Sequence, residues 1–134
     1  MNNEVLFSSA KEEWETPQDL FDKLDAEFHF TIDVAALPCN AKCKRFYTPE
    51  TDGLKQDWTG EVVWCNPPYG KKAVDFVRKA YQQMDTKTVM LLPARTDTKW
   101  FHDYIYHNSC AQIIFIKGRL KFGGGRQTAL RFRQ

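Results

Sequence analysis

A short apolar segment that ends in an amide and two prolines constrains this chain more than any other feature. Residues 61–65 read Glu-Val-Val-Trp-Cys, and they continue directly into Asn66-Pro67-Pro68-Tyr69. This pattern predicts a strand that runs out into a rigid loop, because proline rings fix φ. Open α/β sheets bind their ligands at such loops, beyond the carboxyl ends of the strands.

The polar groups of this loop suit a planar amine. Since proline has no N–H, the backbone here offers mainly carbonyl acceptors. The Asn66 side-chain oxygen and the Pro67 carbonyl are together suited to accept both hydrogens of an exocyclic amino group, and Tyr69 is suited to stack on the ring. A nucleobase and a glutamine side-chain amide both fit this description. A plain strand exit, with Tyr69 packed in the core, is the structural alternative.

Apolar spacing predicts the elements around the loop. A first helix is expected from Thr16, as N-cap, through Pro17 in its first turn to about Glu27. A second helix is expected over residues 72–84, and its predicted buried face comprises Ala73, Val74, Val77, Tyr81 and Met84. Thr96-Asp97 is predicted to cap a third helix that buries Trp100, Phe101, Tyr104 and Ile105.

Strand patterns alternate with these helices. They fall at residues 28–34, 62–64, 88–92 and 111–116, whereas residues 37–60 contain several proline and glycine breaks. Alternating strands and helices predict an α/β fold with a mostly parallel sheet. We expect a flexible polar arm over residues 1–13, followed by a single domain over residues 14–134.

Composition narrows the class of protein. The chain has 134 residues and contains no 18-residue apolar run, so we expect no membrane span. Its first residues lack a basic start and an apolar core, which predicts a cytoplasmic location. The four cysteines are then expected to be free thiols. Cys39 and Cys43 have no second pair at ligand spacing, so no metal is expected.

Charge is unevenly distributed along the chain. Residues 1–30 carry eight acidic and two basic residues, whereas residues 104–134 carry six lysines or arginines and no acidic residue. A basic end suits a polyanionic partner. A solvated basic edge gives the same pattern, so the charge alone does not decide between them.

Several segments resemble one known family in the same order. They are Trp14-Glu15-Thr16-Pro17, Phe30-Thr31-Ile32-Asp33-Val34-Ala35-Ala36, Asn40, Cys43, Asp52-Gly53-Leu54, Asp57-Trp58, Val63-Trp64-Cys65-Asn66-Pro67-Pro68-Tyr69-Gly70, Leu91-Leu92-Pro93-Ala94-Arg95-Thr96-Asp97-Thr98-Lys99-Trp100-Phe101 and Phe115-Ile116-Lys117-Gly118-Arg119-Leu120-Lys121-Phe122. On these residues the chain resembles the phage-type DNA N-6-adenine methyltransferases (Dam-like).

The resemblance implies a Rossmann-like class I methyltransferase sheet, S-adenosylmethionine as cofactor and double-stranded DNA as partner. It implies methyl transfer to adenine N6 by a site that comprises Asn66, Pro67, Pro68 and Tyr69. In this interpretation Asn66 and the Pro67 carbonyl bind the target amine, and Tyr69 stacks on the base. The base must leave the duplex, because a paired N6 is out of reach of the methyl donor.

The resemblance also implies cofactor and DNA contacts. Cofactor binding is expected from Thr16, Pro17, Asp33, Val34, Ala35 and from Asp52 or Asp57. Either acid is suited to the cofactor's adenine or ribose, and the alternatives from the residues alone are an Asp-Gly turn for Asp52 and a cap for Asp57. Phosphate contacts are expected from Arg95, Lys99, Arg119 and Lys121, with Phe122 stacking or packing beside them.

The C-terminal tail departs from the family pattern. After Phe122 it reads Gly-Gly-Gly and then Arg-Gln-Thr-Ala-Leu-Arg-Phe-Arg-Gln, where members continue into an apolar, proline-containing segment. We therefore expect a minimal sheet whose final strand is absent or degraded. A bare sheet edge would invite pairing between copies, so a homodimer is expected through it. A non-catalytic DNA-binding remnant is the matching functional alternative.

Overall fold

The computed structural model describes residues 16–68, 70–93, 95–116 and 127–133, and of Phe115 and the last segment it describes the backbone. The polar arm predicted over residues 1–13 lies outside this part of the chain. The helices are α1 (Gln18–Phe28), α2 (Lys71–Gln82) and α3 (Lys99–Phe101), which continues as a π-helix over His102–Tyr106. The strands are β1 (Ile32–Asp33), β2 (Val62–Cys65), β3 (Lys87–Pro93), β4 (Ala111–Phe115) and β5 (Gln127–Arg133).

The five strands form one sheet in the order β1-β2-β3-β5-β4. β1, β2 and β3 are parallel neighbours, with Ile32 opposite Val63 and Val63 opposite Thr88. β5 runs antiparallel to both β3 and β4. The structure therefore confirms a mixed α/β fold with a small parallel sheet.

The expectation that the final strand is absent was wrong. β5 pairs with β3 from Gln127 to Arg133 and with β4 from Thr128 to Phe132. Both sides of β5 are paired, so the bare edge that suggested a homodimer does not arise there. The strand was missed because arginines and a preceding glycine run obscure the alternation of Thr128, Leu130 and Phe132.

Alternating side chains of the sheet form two apolar layers, as expected for strands. One face packs against α2 and α3, and its buried residues include Ile32, Val34, Val63, Cys65, Met90, Leu92, Phe76, Val77, Phe101 and Ile105. The other face packs against α1, and its buried residues are Phe21, Trp64, Val89 and Leu91. Because helices cover both faces of the sheet, a ligand can reach it only at the ends of the strands, where the loops lie.

The buried face of α2 differs from the prediction. Its buried residues are Ala73, Phe76, Val77 and Ala80, at the i, i+3, i+4, i+7 spacing of one helical stripe. Of the other residues predicted on this face, Val74 is half-buried, Tyr81 is 42% exposed and Met84 is 64% exposed. The buried stripe is turned toward Phe76, and the helix ends at Gln82, before Met84.

The starts of the other two helices also differ. α1 begins at Gln18 with Pro17 in the N-cap position, and no side chain caps it. Thr16 is therefore not the cap, since its hydroxyl is bonded elsewhere. The third helix follows Thr98 rather than Thr96-Asp97. Of its four side chains that were predicted to be buried, Phe101 and Ile105 are buried, whereas Trp100 and Tyr104 are half-buried. Within the described residues, no helix has the length and apolarity needed to cross a membrane.

Candidate active site

A pocket of about 300 Å³ lies at the carboxyl ends of β1 and β2. Three parts of the chain build it: the residues after β1, the segment from Thr48 to Leu54, and the start of α2 with the loop before it. Its lining residues are Val34, Ala35, Ala36, Thr48, Pro49, Asp52, Gly53, Leu54, Pro68, Lys72 and Phe76. The lining is largely apolar, and its charged residues are Asp52 and Lys72.

Asp33 holds the first wall of this pocket in place. Its carboxylate accepts hydrogen bonds from the backbone N–H groups of Ala35 (3.3 Å) and Lys42 (3.0 Å). Burial raises the pKa of Asp33 to about 6, although these two hydrogen bonds act to lower it. Asp33 is 3% exposed and is not among the lining residues, whereas Val34 and Ala35, which follow it, are.

The Asp-Gly-Leu turn at residues 52–54 forms a second wall of the pocket. Asp52 adopts a left-handed backbone (φ 55°), and its carboxylate accepts from Leu54 N–H at 3.1 Å. A Cβ at Gly53 would lie 2.2 Å from the carbonyl oxygen of Val34, so no side chain fits there. The buried Trp58 indole donates to the Gly53 carbonyl at 2.9 Å and fixes the turn from behind. This turn therefore places the Asp52 side chain in the lining of the pocket.

Asp57, the second candidate acid, lies at the other end of the sheet. It precedes β2, so it stands at the amino edge, and it is not among the pocket-lining residues. Its carboxylate accepts from Thr59 N–H (2.9 Å), Thr59 O–H (2.6 Å) and Gln83 (3.1 Å). The Thr59 hydrogen bonds hold the pKa of Asp57 below its usual range. The structure therefore gives Asp57 the role of a turn cap and does not bring it to the pocket.

Asn66 follows β2 directly and is buried, with 4% exposure. Its amide Nδ2 donates to the hydroxyl of Thr16 at 3.0 Å, and Thr16 is itself 2% exposed. Pro67 is buried, and Pro68 lines the pocket. The predicted amine-binding loop and the pocket are thus contiguous. Tyr69, the proposed stacking residue, lies outside the described residues.

The predicted DNA-binding residues are only partly described. Arg95 is exposed in the loop after β3. Lys99 is also exposed and forms a 2.9 Å ion pair with Asp103, which raises the pKa of the lysine. A phosphate would have to compete with that carboxylate. Arg119, Lys121 and Phe122 lie outside the part of the chain that the structure describes.

Sequence reasoning missed Lys72 as a pocket residue. Lys72 lies in the first turn of α2, four residues before the buried Phe76, and both line the pocket. The available signal was its position: a helix that begins just after a ligand-binding loop places its first turn at the same sheet edge. Thr48 and Pro49 had no comparable signal, because they lie in the irregular segment.

A mixed α/β sheet with a largely apolar pocket at the carboxyl edge of its parallel strands defines a ligand-binding α/β protein. Its sequence identifies the family. The chain belongs to the DNA N-6-adenine-methyltransferase (Dam) family, whose model matches residues 4–130. The resemblance drawn from the separate motifs is thereby confirmed.

Two curated relatives support this assignment. The chain is 35% identical over 116 residues to the DNA N-6-adenine-methyltransferase of Escherichia phage T1, a match that covers 84% of this chain. The chain spans about half the length of that relative, since the match covers 48% of it. It is also 32% identical over 65 residues to the putative methyltransferase YfdM of Escherichia coli K12, covering 43% of this chain and 71% of that protein.

Proposed function

We propose that this chain transfers a methyl group from S-adenosylmethionine to N6 of adenine in double-stranded DNA. One observation carries the proposal beyond family membership. Asn66 is fixed at the end of β2 by Thr16, and Pro68, two residues further on, lines the pocket. The loop proposed to bind the amine and the pocket proposed for the cofactor therefore meet at Pro68, as methyl transfer between two bound molecules requires.

The pocket suits the nucleoside part of the cofactor. Its volume of about 300 Å³ and its apolar walls fit a flat ring, and Asp52 offers a carboxylate to a ribose hydroxyl or an amino group. The close approach of Gly53 to Val34 packs the Asp-Gly-Leu turn directly against the segment that follows β1. Pro17 and the residues after Asp33 would then lie toward the methionine end. Asp33 contributes by holding Val34 and Ala35, rather than by lining the pocket itself.

The loop residues would prepare the acceptor amine. S-adenosylmethionine supplies a methyl group already activated on its sulfonium sulfur. The Asn66 Oδ1 and the Pro67 carbonyl would accept the two N6 hydrogens and draw the nitrogen lone pair out of conjugation. Transfer to N6 would break the S–C bond with the electron pair left on sulfur, and N6 would release a proton to water. Tyr69 would hold the extruded base by stacking.

Binding of the DNA would rest on basic residues near this edge. Arg95, Lys99, Arg119 and Lys121 are proposed to contact phosphates, with Phe122 beside them. Each such contact releases counterions, so DNA affinity should fall as salt rises. For Lys99, a phosphate would replace Asp103 as the partner of the ammonium group.

The fold is proposed to be a reduced Rossmann-like class I methyltransferase sheet in a single domain. The irregular segment between β1 and β2 stands where such enzymes usually have two further βα units. β5 supplies the antiparallel closing strand that the tail did not predict. With that strand present, the main reason for the non-catalytic remnant disappears.

A transfer assay with two acceptors tests this function. The purified protein is incubated with labelled S-adenosylmethionine and either unmethylated duplex DNA or a protein extract. Label in N6-methyladenine supports the proposal. Label only in glutamine side chains would support the alternative substrate, because the same loop suits a side-chain amide. Cofactor binding without transfer to either acceptor would support the remnant.

A further inference from the structure

We infer that Thr16 is a positioning residue for Asn66: its hydroxyl holds the amide so that Oδ1, and not Nδ2, is presented to the target amine. This inference rests on the proposed function, because it assigns a task to the loop that binds the amine. It changes the expectation for Thr16, which the family resemblance places at the cofactor and the sequence pattern places at the helix start.

The contact joins two buried groups. Asn66 Nδ2 lies 3.0 Å from Thr16 Oγ1, and the two residues are 4% and 2% exposed. Water has little access to compete at such a site, and buried polar groups in proteins are almost always hydrogen-bonded. The hydroxyl has no capping role, since α1 has Pro17 at its N-cap and no side-chain cap. Asn66 is therefore the partner that accounts for a buried hydroxyl at position 16.

The start of α1 is held on two sides, which fixes the hydroxyl in space. Phe21 packs edge-on against Trp64 with ring centroids 5.3 Å apart, and Trp64 lies two residues before Asn66. The Gln18 side chain accepts from Lys42 Nζ at 2.9 Å, and the Lys42 backbone N–H donates to Asp33. Thr16 is thus placed relative to both β2 and the pocket wall.

Orientation matters because an amide has nearly equal ends of opposite character. Oδ1 accepts hydrogen bonds, whereas Nδ2 only donates. An amide turned over would meet the target amine donor to donor, and it could not polarise the N–H bonds. The hydrogen bond from Nδ2 to Thr16 stabilises the orientation in which Oδ1 serves the target amine, which is preorganisation of the acceptor.

The test compares Thr16→Val, which keeps the shape and removes the hydroxyl, with Thr16→Ser, which keeps the hydroxyl. We expect Thr16→Val to lower kcat for DNA methylation about ten-fold or more, the usual effect of an unpartnered buried group. Its Kd for S-adenosylmethionine should change by less than about three-fold. Thr16→Ser should restore most of kcat.

Thr86→Val is the matched control. Thr86 is 3% exposed and donates its hydroxyl to the Trp58 carbonyl at 3.0 Å, so this variant also loses a buried threonine hydrogen bond. It should lower Tm while leaving kcat close to that of the unaltered protein. A similar loss of kcat in Thr86→Val and Thr16→Val would show a general effect of destabilisation and would overturn the inference.

Two further outcomes separate the inference from the proposed function. If the unaltered protein methylates DNA and Thr16→Val retains its kcat, Thr16 does not position Asn66. The inference also fails if Thr16→Val loses cofactor affinity with kcat unchanged, because the hydroxyl then serves the cofactor. If the unaltered protein methylates no DNA, the proposed function fails and takes the inference with it.

Discussion

The two ends of the parallel strands use the same residue type in different ways. At the carboxyl edge, Asp52 caps a tight turn and also lines the pocket. At the amino edge, Asp57 caps a turn through Thr59 and Gln83 and lies away from it. Both acids look alike in the sequence, since each begins a short turn before an apolar residue. Whether a carboxylate lies at the carboxyl edge or the amino edge of the parallel strands decides whether it can bind a ligand there.

Of the substitutions at the carboxyl edge, Asn66→Ala is expected to lower the methyl-transfer rate most. Asn66→Ala removes the proposed acceptor for the target amine and should lower the methyl-transfer rate about 10²–10³-fold, as loss of one preorganised polar group does in other enzymes. Cofactor affinity should stay near that of the unaltered protein, because the pocket lining is intact. Single-turnover rates and equilibrium cofactor titrations measure the two effects separately. Retained turnover would remove Asn66 from the chemistry.

A substitution at Gly53 tests whether the site needs the close contact between the Asp-Gly-Leu turn and Val34. Gly53→Ala would place a Cβ 2.2 Å from the backbone oxygen of Val34, so the turn must move. We expect a loss of about 1–3 kcal/mol in the free energy of unfolding together with weaker cofactor binding. Chemical denaturation and cofactor titration check both.

Gly60 provides the control for this substitution. An added Cβ there meets nothing within 4 Å, although the backbone has φ of 80°. Gly60→Ala should therefore cost only about 1 kcal/mol, from backbone strain, and leave cofactor affinity unchanged. Equal losses of cofactor affinity in the two variants would show that the close approach of Gly53 and Val34 does not shape the site.

The two acids permit a matched comparison of the edges. Asp52→Asn should weaken binding of S-adenosylmethionine about ten-fold, because a charged acceptor in the pocket is lost. Asp57→Asn should leave the affinity unchanged and lower Tm slightly, since it weakens an exposed turn. Isothermal titration with both variants measures the difference. The reverse ranking would place the cofactor at the amino edge.

The raised pKa of Asp33 should make the free energy of unfolding depend on pH. Its folded-state pKa is raised by burial to about 6 from an ordinary value of 3.8, so between these values the folded state binds more protons than the unfolded state. Its contribution to stability is full below 3.8 and is lost as pH rises through 6. The free energy of unfolding should thus fall by up to about 3 kcal/mol over this range.

Urea unfolding at several pH values checks this prediction. Other carboxyl groups titrate in the same range, so the comparison is between the unaltered protein and Asp33→Asn. In Asp33→Asn the free energy of unfolding should fall less between pH 3.8 and 6 than it does in the unaltered protein. Parallel profiles would show that ionisation of Asp33 is not linked to folding.

The sequence alone predicts most of the helices and strands that surround the site. β2, β3, α1 and α2 follow regular apolar spacing over several residues, and such local periodicity is the most reliable signal of secondary structure. The sequence places Asn66 and Pro68 at the carboxyl end of β2, because a strand leads straight into them, and Pro68 lines the pocket. Local signals are sufficient for features whose partners lie nearby in the chain.

The remaining features depend on contacts between distant residues. Thr16 and Asn66 are fifty residues apart, and no local pattern indicates that they meet. β5 was missed because strand pairing across the sheet outweighs a weak local pattern. Asp52 and Asp57 could be separated only once the edge of the sheet that each occupies was known. In each case tertiary packing, rather than local propensity, decides the outcome.

A structure of the protein with S-adenosylhomocysteine and a DNA duplex would test the proposed site most directly. We predict that the nucleoside lies in the pocket beside Asp52, and that an extruded adenine has its N6 within hydrogen-bond distance of Asn66 Oδ1, with Nδ2 still on Thr16. A cofactor bound at the amino edge near Asp57, or an adenine bound away from Asn66, would contradict the proposed site.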